Sequence, residues 1–206
     1  MNSALDTLRQ HPALWGGQKE RETLSTAFPA LDDLLPGGGW PLGALTEILL
    51  PREGVGELRL IMPALARLSR EGRWLAWVAP PHLPYAPALA AWEVRLSRVL
   101  LVQAPVASDR LWAAEQALRS GACGAVLTWL QECEDRALRR LQLAAERGSC
   151  WGILFRPLRF ADRPSPAALR LQMGAEPGGL AVQILKGRGG RVKLRSEELG
   201  VKSESA

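Results

Sequence analysis

The chain has 206 residues, 47% of them hydrophobic and 23% charged, with a net charge of +5. That is ordinary globular usage, which excludes a chain that stays disordered. The 20 Gly and 15 Pro follow no period, which excludes collagen-like order, and no run approaches the roughly 18 apolar residues of a membrane span.

Taken in chain order, residues 1–24 read as an arm. Ser3 caps a short helix over 3–10, His11-Pro12 stops it, and Trp15 stands in a glycine loop. No basic stretch leading into an apolar run marks a signal peptide. Cys123, Cys133 and Cys150 lack CxxC spacing, and His11 and His82 do not complete a zinc site with them. Buried, reduced thiols in a cytoplasmic protein are the expectation.

Residues 30–35 suggest a helical turn or two, and Pro36-Gly37-Gly38-Gly39 a loop. Leu45 to Leu50 reads as a strand ended by Pro51. Apolar positions at Leu58, Ile61, Met62, Leu65 and Leu68 predict a helix over 55–71, kinked or cut by Pro63. Then strands over 74–79, 99–102, 125–129 and 150–155 alternate with helices over 86–92, 108–120 and 135–147. The strands are continuous apolar runs, as in a parallel sheet covered on both faces. The last third alternates apolar and polar residues over 169–173, 180–185 and 192–195, with glycines between, and predicts an antiparallel meander. The expected organisation is an arm over 1–24, a core with its meander over 25–196 and a tail over 197–206.

Charge is unevenly spread. Residues 1–185 carry 20 Lys/Arg against 18 Asp/Glu, or +2, and residues 186–206 carry six against three, or +3. Lys186, Arg188, Arg191, Lys193 and Arg195 form a stripe with no acid among them. They are candidate contacts for DNA or an acidic partner, with a solvated hairpin edge as the plainer reading. Eight Trp stand beside three Phe and one Tyr. Trp74, Trp77 and Trp129 are expected in the core, and Trp92 and Trp112 on helix faces against the sheet. Trp15 and Trp40, in loops, are candidate partner anchors. His82 reads as an exposed loop residue and Glu132 and Glu134 as a solvated helix start. No catalytic residue, metal ligand or cofactor is assigned.

The segment Pro51-Arg52-Glu53-Gly54-Val55-Gly56 lies between a strand and a helix, the setting of a phosphate loop. The expected Lys and Ser/Thr are Glu57 and Leu58. A carboxylate repels a triphosphate and leucine offers no oxygen to magnesium.

The order of segments resembles the RecA core. Ser25 to Leu35 and Gly37 to Ile48 resemble its opening, Ala117 to Trp129 the stretch before its second nucleotide motif, and Ile184 to Arg188 a late strand-turn. Trp129 and Pro80-Pro81 stand where that family keeps acids. With His11-Pro12-Ala13-Leu14-Trp15 and Gly37-Gly38-Gly39-Trp40-Pro41, the chain resembles the ImuA family. The resemblance implies an α/β fold: a RecA-like, mostly parallel twisted sheet with helices on both faces and a C-terminal antiparallel extension. It implies a pseudo-ATPase without cofactor. Its role would lie in damage-induced translesion synthesis, through contacts with RecA, with the polymerase-like ImuB and its translesion polymerase, and with DNA. The alternative is a SulA-type division inhibitor binding FtsZ. An ATP-dependent enzyme is disfavoured by the lost motif positions.

Overall fold

The structure is a computed structural model that describes residues 22–186, 190–195 and 198. The predicted helix over 3–10, Trp15, Arg188 and the residues from 199 on lie outside them. Strand β1 (Thr23–Leu24) pairs antiparallel with β2 (Trp40–Pro41), and the short helix α1 (Pro29–Asp32) lies between. Asp32 pins this opening: Ser25 Oγ and the Thr26 amide donate to its two carboxylate oxygens at 2.7 and 2.9 Å.

The body follows as β3 (Ala44–Leu50), α2 (Glu57–Arg70), β4 (Trp74–Val78), α3 (Ala86–Ala91), β5 (Val99–Val102) and α4 (Ala107–Arg119). It continues with β6 (Cys123–Trp129), α5 (Asp135–Gly148), β7 (Trp151–Pro157), β8 (Leu169–Glu176), β9 (Gly179–Lys186) and β10 (Gly190–Arg195). One eight-stranded sheet has the order β10-β9-β8-β3-β7-β6-β4-β5. The six strands from β8 to β5 are parallel, and β9 and β10 are antiparallel to their neighbours.

Alternation along each buried strand feeds two cores. Leu75, Trp77, Leu127 and Ile153 meet Leu60, Ile61 and Leu65 of α2 on one face. Ala76, Val126 and Leu154 meet Ala114 and Leu118 of α4 and Leu138 and Leu141 of α5 on the other. This double covering is why the strands read as unbroken apolar runs. Helices α4 and α5 approach closely at Gly148, where a Cβ would lie 1.9 Å from the Leu118 carbonyl oxygen.

Two expectations are corrected by this geometry. The C-terminal meander is not wholly antiparallel: β8 pairs parallel with β3 and antiparallel with β9, so all eight strands form one mixed sheet. Pro63 neither ends α2 nor its first turn; the helix runs through it, forgoing one backbone hydrogen bond.

The central strand holds a buried charge. Glu47 on β3 is fully buried and pairs with Arg156 on β7 and Arg170 on β8, the two strands that flank it. Arg170 also donates to the Phe160 and Ala161 carbonyls at 2.8 and 3.0 Å. One carboxylate thereby ties the parallel strands to the C-terminal ones.

Candidate functional site

In parallel sheets, ligands and partners gather outside the carboxyl ends of the strands. Here those ends carry the loop after β3, Ala79-Pro80-Pro81 after β4, Gln103-Ala104-Pro105 after β5, and Trp129 closing β6. Trp129 is buried between Trp77 and Phe155, with ring centroids at 5.9 and 4.8 Å. An aromatic stack thus fills the place where the RecA resemblance sought an acid.

The loop after β3 has the backbone of an anion cradle, and the chain fills it itself. Gly56, at φ +102°, caps α2 in the left-handed region. The Gly54 and Gly56 amides each donate to one carboxylate oxygen of Glu57, both at 3.1 Å. Glu57 is buried. The donors that would face a phosphate are held by an internal anion.

A groove of about 480 Å³ opens at the ends of β4 and β5, where Pro80, Pro81, Leu83 and Leu101 line it together with Glu53, Gln103, Arg110 and Gln131. Ala79 has φ +46°, a strained value for alanine, and its amide donates to the Val102 carbonyl at 2.8 Å. Arg110 braces the opposite wall through the Ala104 and Pro105 carbonyls at 2.7 and 2.9 Å. Strand β5 is an edge of the sheet, and Leu100 on it is 46% exposed. Leu83, Tyr85, Val106 and Trp112, near the same margin, are 75%, 71%, 53% and 63% exposed. Apolar side chains left uncovered along one margin are the usual mark of a contact surface.

The candidates taken from the sequence fall elsewhere. Trp40 is fully buried and stacks on Trp151 at 5.1 Å, so its indole is not a surface anchor. Trp74 and Trp112, expected in the core and against the sheet, are exposed instead. Arg191, Lys193 and Arg195 share β10, and Lys186 ends β9 beside it. The stripe is not free of acids: Glu176, from β8, pairs with Arg191 and lies 3.9 Å from Lys193. Lys193 also donates to the Pro177 carbonyl at 2.9 Å and Lys186 to that of Ser165 at 3.0 Å.

The three cysteines are free, and burial first of all raises the thiol pKa of each, most strongly at Cys150. Glu132, Glu134 and His82 are exposed. Among the described residues, no cluster of three or more His, Cys, Asp or Glu is placed to hold a metal ion, and no helix is long and apolar enough to cross a membrane.

A family model described as the cell division inhibitor SulA matches residues 43–152. The cell division inhibitor SulA of Edwardsiella piscicida is 35% identical over 98 residues, 48% of this chain and 58% of that protein. SulA of Yersinia enterocolitica is 28% identical over 116 residues, 56% of this chain and 69% of that protein. The chain thus spans somewhat over half of the first relative and about two thirds of the second. A crystal structure of SulA from Pseudomonas aeruginosa shares 30% identity at a TM-score of 0.46, covering 54% of this chain and 97% of that chain.

These findings correct the resemblance to ImuA. Gly43 to Ile48 and Ala117 to Trp129, which helped to carry the RecA resemblance behind it, lie inside the SulA match. With it fall the RecA-like label, the role in translesion synthesis, and RecA, ImuB and its polymerase as partners. The family's description is of an inhibitor, not of an enzyme.

Proposed function

This chain belongs to the SulA family, whose model spans more than half of it, and from that premise we propose that it inhibits cell division by binding the tubulin-like division protein FtsZ. The observation that carries the reading is a coincidence of two maps. Every large hydrophobic side chain that is exposed among the described residues, from Trp74 to Leu143, falls within the matched segment 43–152. The surface assigned to FtsZ is the margin around β5: Leu83 and Tyr85 after β4, Leu100 on the edge strand, and Val106 and Trp112 on the way into and along α4. A margin with an exposed Trp and Tyr beside a groove of mixed polar and apolar lining suits a partner that inserts side chains. Inhibition by such contact needs no nucleotide. The carboxylate of Glu57 in the loop after β3 supports a chain that does not take ATP there, since a triphosphate would have to displace it against like charge.

The test is sedimentation of FtsZ polymers with increasing amounts of the purified chain. The reading expects polymer to be lost as the chain approaches equimolar amounts. Full assembly at several-fold excess would refute it.

A further inference from the structure

A second cavity, of about 230 Å³, opens beside the groove at the carboxyl ends of β3 and β7. Three of its lining residues are Arg52, Arg156 and Arg159; Leu50, Trp129 and Phe155 form an apolar wall. The arginines do not stand alone. The Phe160 ring carries the guanidinium carbons of Arg156, Arg159 and Arg163 at 4.3, 4.9 and 5.0 Å from its centroid. Arg170 lies behind, on Glu47.

The local acids are fewer. Glu47 is spent between Arg156 and Arg170, Glu53 lines the cavity, and Asp162 stands in the turn after Phe160. Of the residues that line the cavity, three arginines, Arg52, Arg156 and Arg159, stand against one acid, Glu53, or +2. Arg156 is buried, yet its Nε has no hydrogen-bond partner. Among the described residues Arg52 forms no ion pair. Arg156 is answered by Glu47, whereas among the described residues Arg52 and Arg159 line the cavity with no carboxylate partner.

We propose that this cavity binds phosphate, either free or as the head of a small phosphomonoester. Guanidinium forks match phosphate oxygens, and a dianion neutralises a +2 site where a carboxylate would leave half the charge. The volume lies below the roughly 300–1,000 Å³ of pockets that enclose whole drug-sized ligands, so an organic part would remain outside. Arg52 and Glu53 of the loop after β3 line the site, but it is distinct from that loop's amide cradle, whose Gly54 and Gly56 amides are occupied by Glu57. It goes beyond the FtsZ reading and does not depend on it.

Titration calorimetry on the full chain tests this, with inorganic phosphate and glycerol 3-phosphate as probes and sodium chloride at matched ionic strength as control. Arg52→Gln and Arg159→Gln alter exposed side chains, so folding should persist, and circular dichroism checks it. The wild type binds phosphate and not chloride, each single variant binds about tenfold more weakly, and the double variant shows no phosphate-specific heat. Tighter binding of glycerol 3-phosphate than of phosphate would identify an organic source, and equal binding a free anion. Heats no different from chloride, or wild-type affinity in the double variant, would overturn the proposal. So would affinity that responds to Glu57→Gln and not to the arginines, since the anion would then sit on the Gly54 and Gly56 amides.

Discussion

The two margins of the sheet are built from different material. Around β5 the chain leaves Leu83, Tyr85, Leu100, Val106 and Trp112 open to solvent. Along β10 it places Arg191, Lys193 and Arg195, partly answered by Glu176. Charged residues on an edge strand discourage pairing with other chains, whereas exposed apolar ones invite contact. The family match covers the first margin and stops before the second. Both margins border one sheet; under the proposed reading the apolar one meets FtsZ and the basic one is a protected edge.

The comparison requires that the margins share one cooperative unit, and the largest expected effect tests that. Glu47→Gln strips the carboxylate from two buried arginines and should cost about 3–5 kcal/mol. Denaturation followed by tryptophan fluorescence and by circular dichroism should shift together, with a fall in Tm on the order of 10 °C. Separate transitions would mean that β8–β10 fold apart from the rest.

The next effect sharpens the contrast. Leu83→Asp combined with Trp112→Ala should weaken FtsZ binding by about tenfold to thirtyfold, as for central interface residues. Tm should hardly move, because both side chains are exposed. A smaller effect probes the scaffold away from that margin, where Ser149 lies beside Gly43 at the entry to β3. Ser149 ends α5 at φ +46°, a conformation that favours glycine. Ser149→Gly should therefore stabilise by about 0.5 kcal/mol in urea denaturation, with FtsZ binding unchanged. The smallest belongs to the basic edge. Arg191→Ala with Lys193→Ala removes exposed pairs and should change stability by less than about 0.5 kcal/mol. A large loss of FtsZ binding from this pair would reverse the roles of the two margins.

What the sequence made legible follows from range. The unbroken apolar runs of β4, β6 and β7 announce strands buried on both faces, because that pattern is local. Glu47 hides its role because its arginines lie 109 and 123 residues away. Likewise, no acid stands within the basic stripe, yet Glu176 reaches it from β8, across the intervening β9. Tryptophan position misled for the same reason: Trp40 sits in a loop but stacks on Trp151, whereas Trp74 opens a strand at the surface. The resemblance drawn from Gly37 to Ile48 and Ala117 to Trp129 rested on a strand-loop-helix path. Such a path records how the chain runs and not which partner it meets. The apolar margin was missed because Leu83, Leu100 and Trp112 look like core residues until burial is known.

The most direct test of the central claim sets the two margins against each other in one FtsZ sedimentation assay. The account predicts that the wild type and the Arg191→Ala, Lys193→Ala chain deplete polymer equally near equimolar amounts, while the Leu83→Asp, Trp112→Ala chain does not. Depletion that survives the apolar double substitution and is lost with the basic one would contradict it.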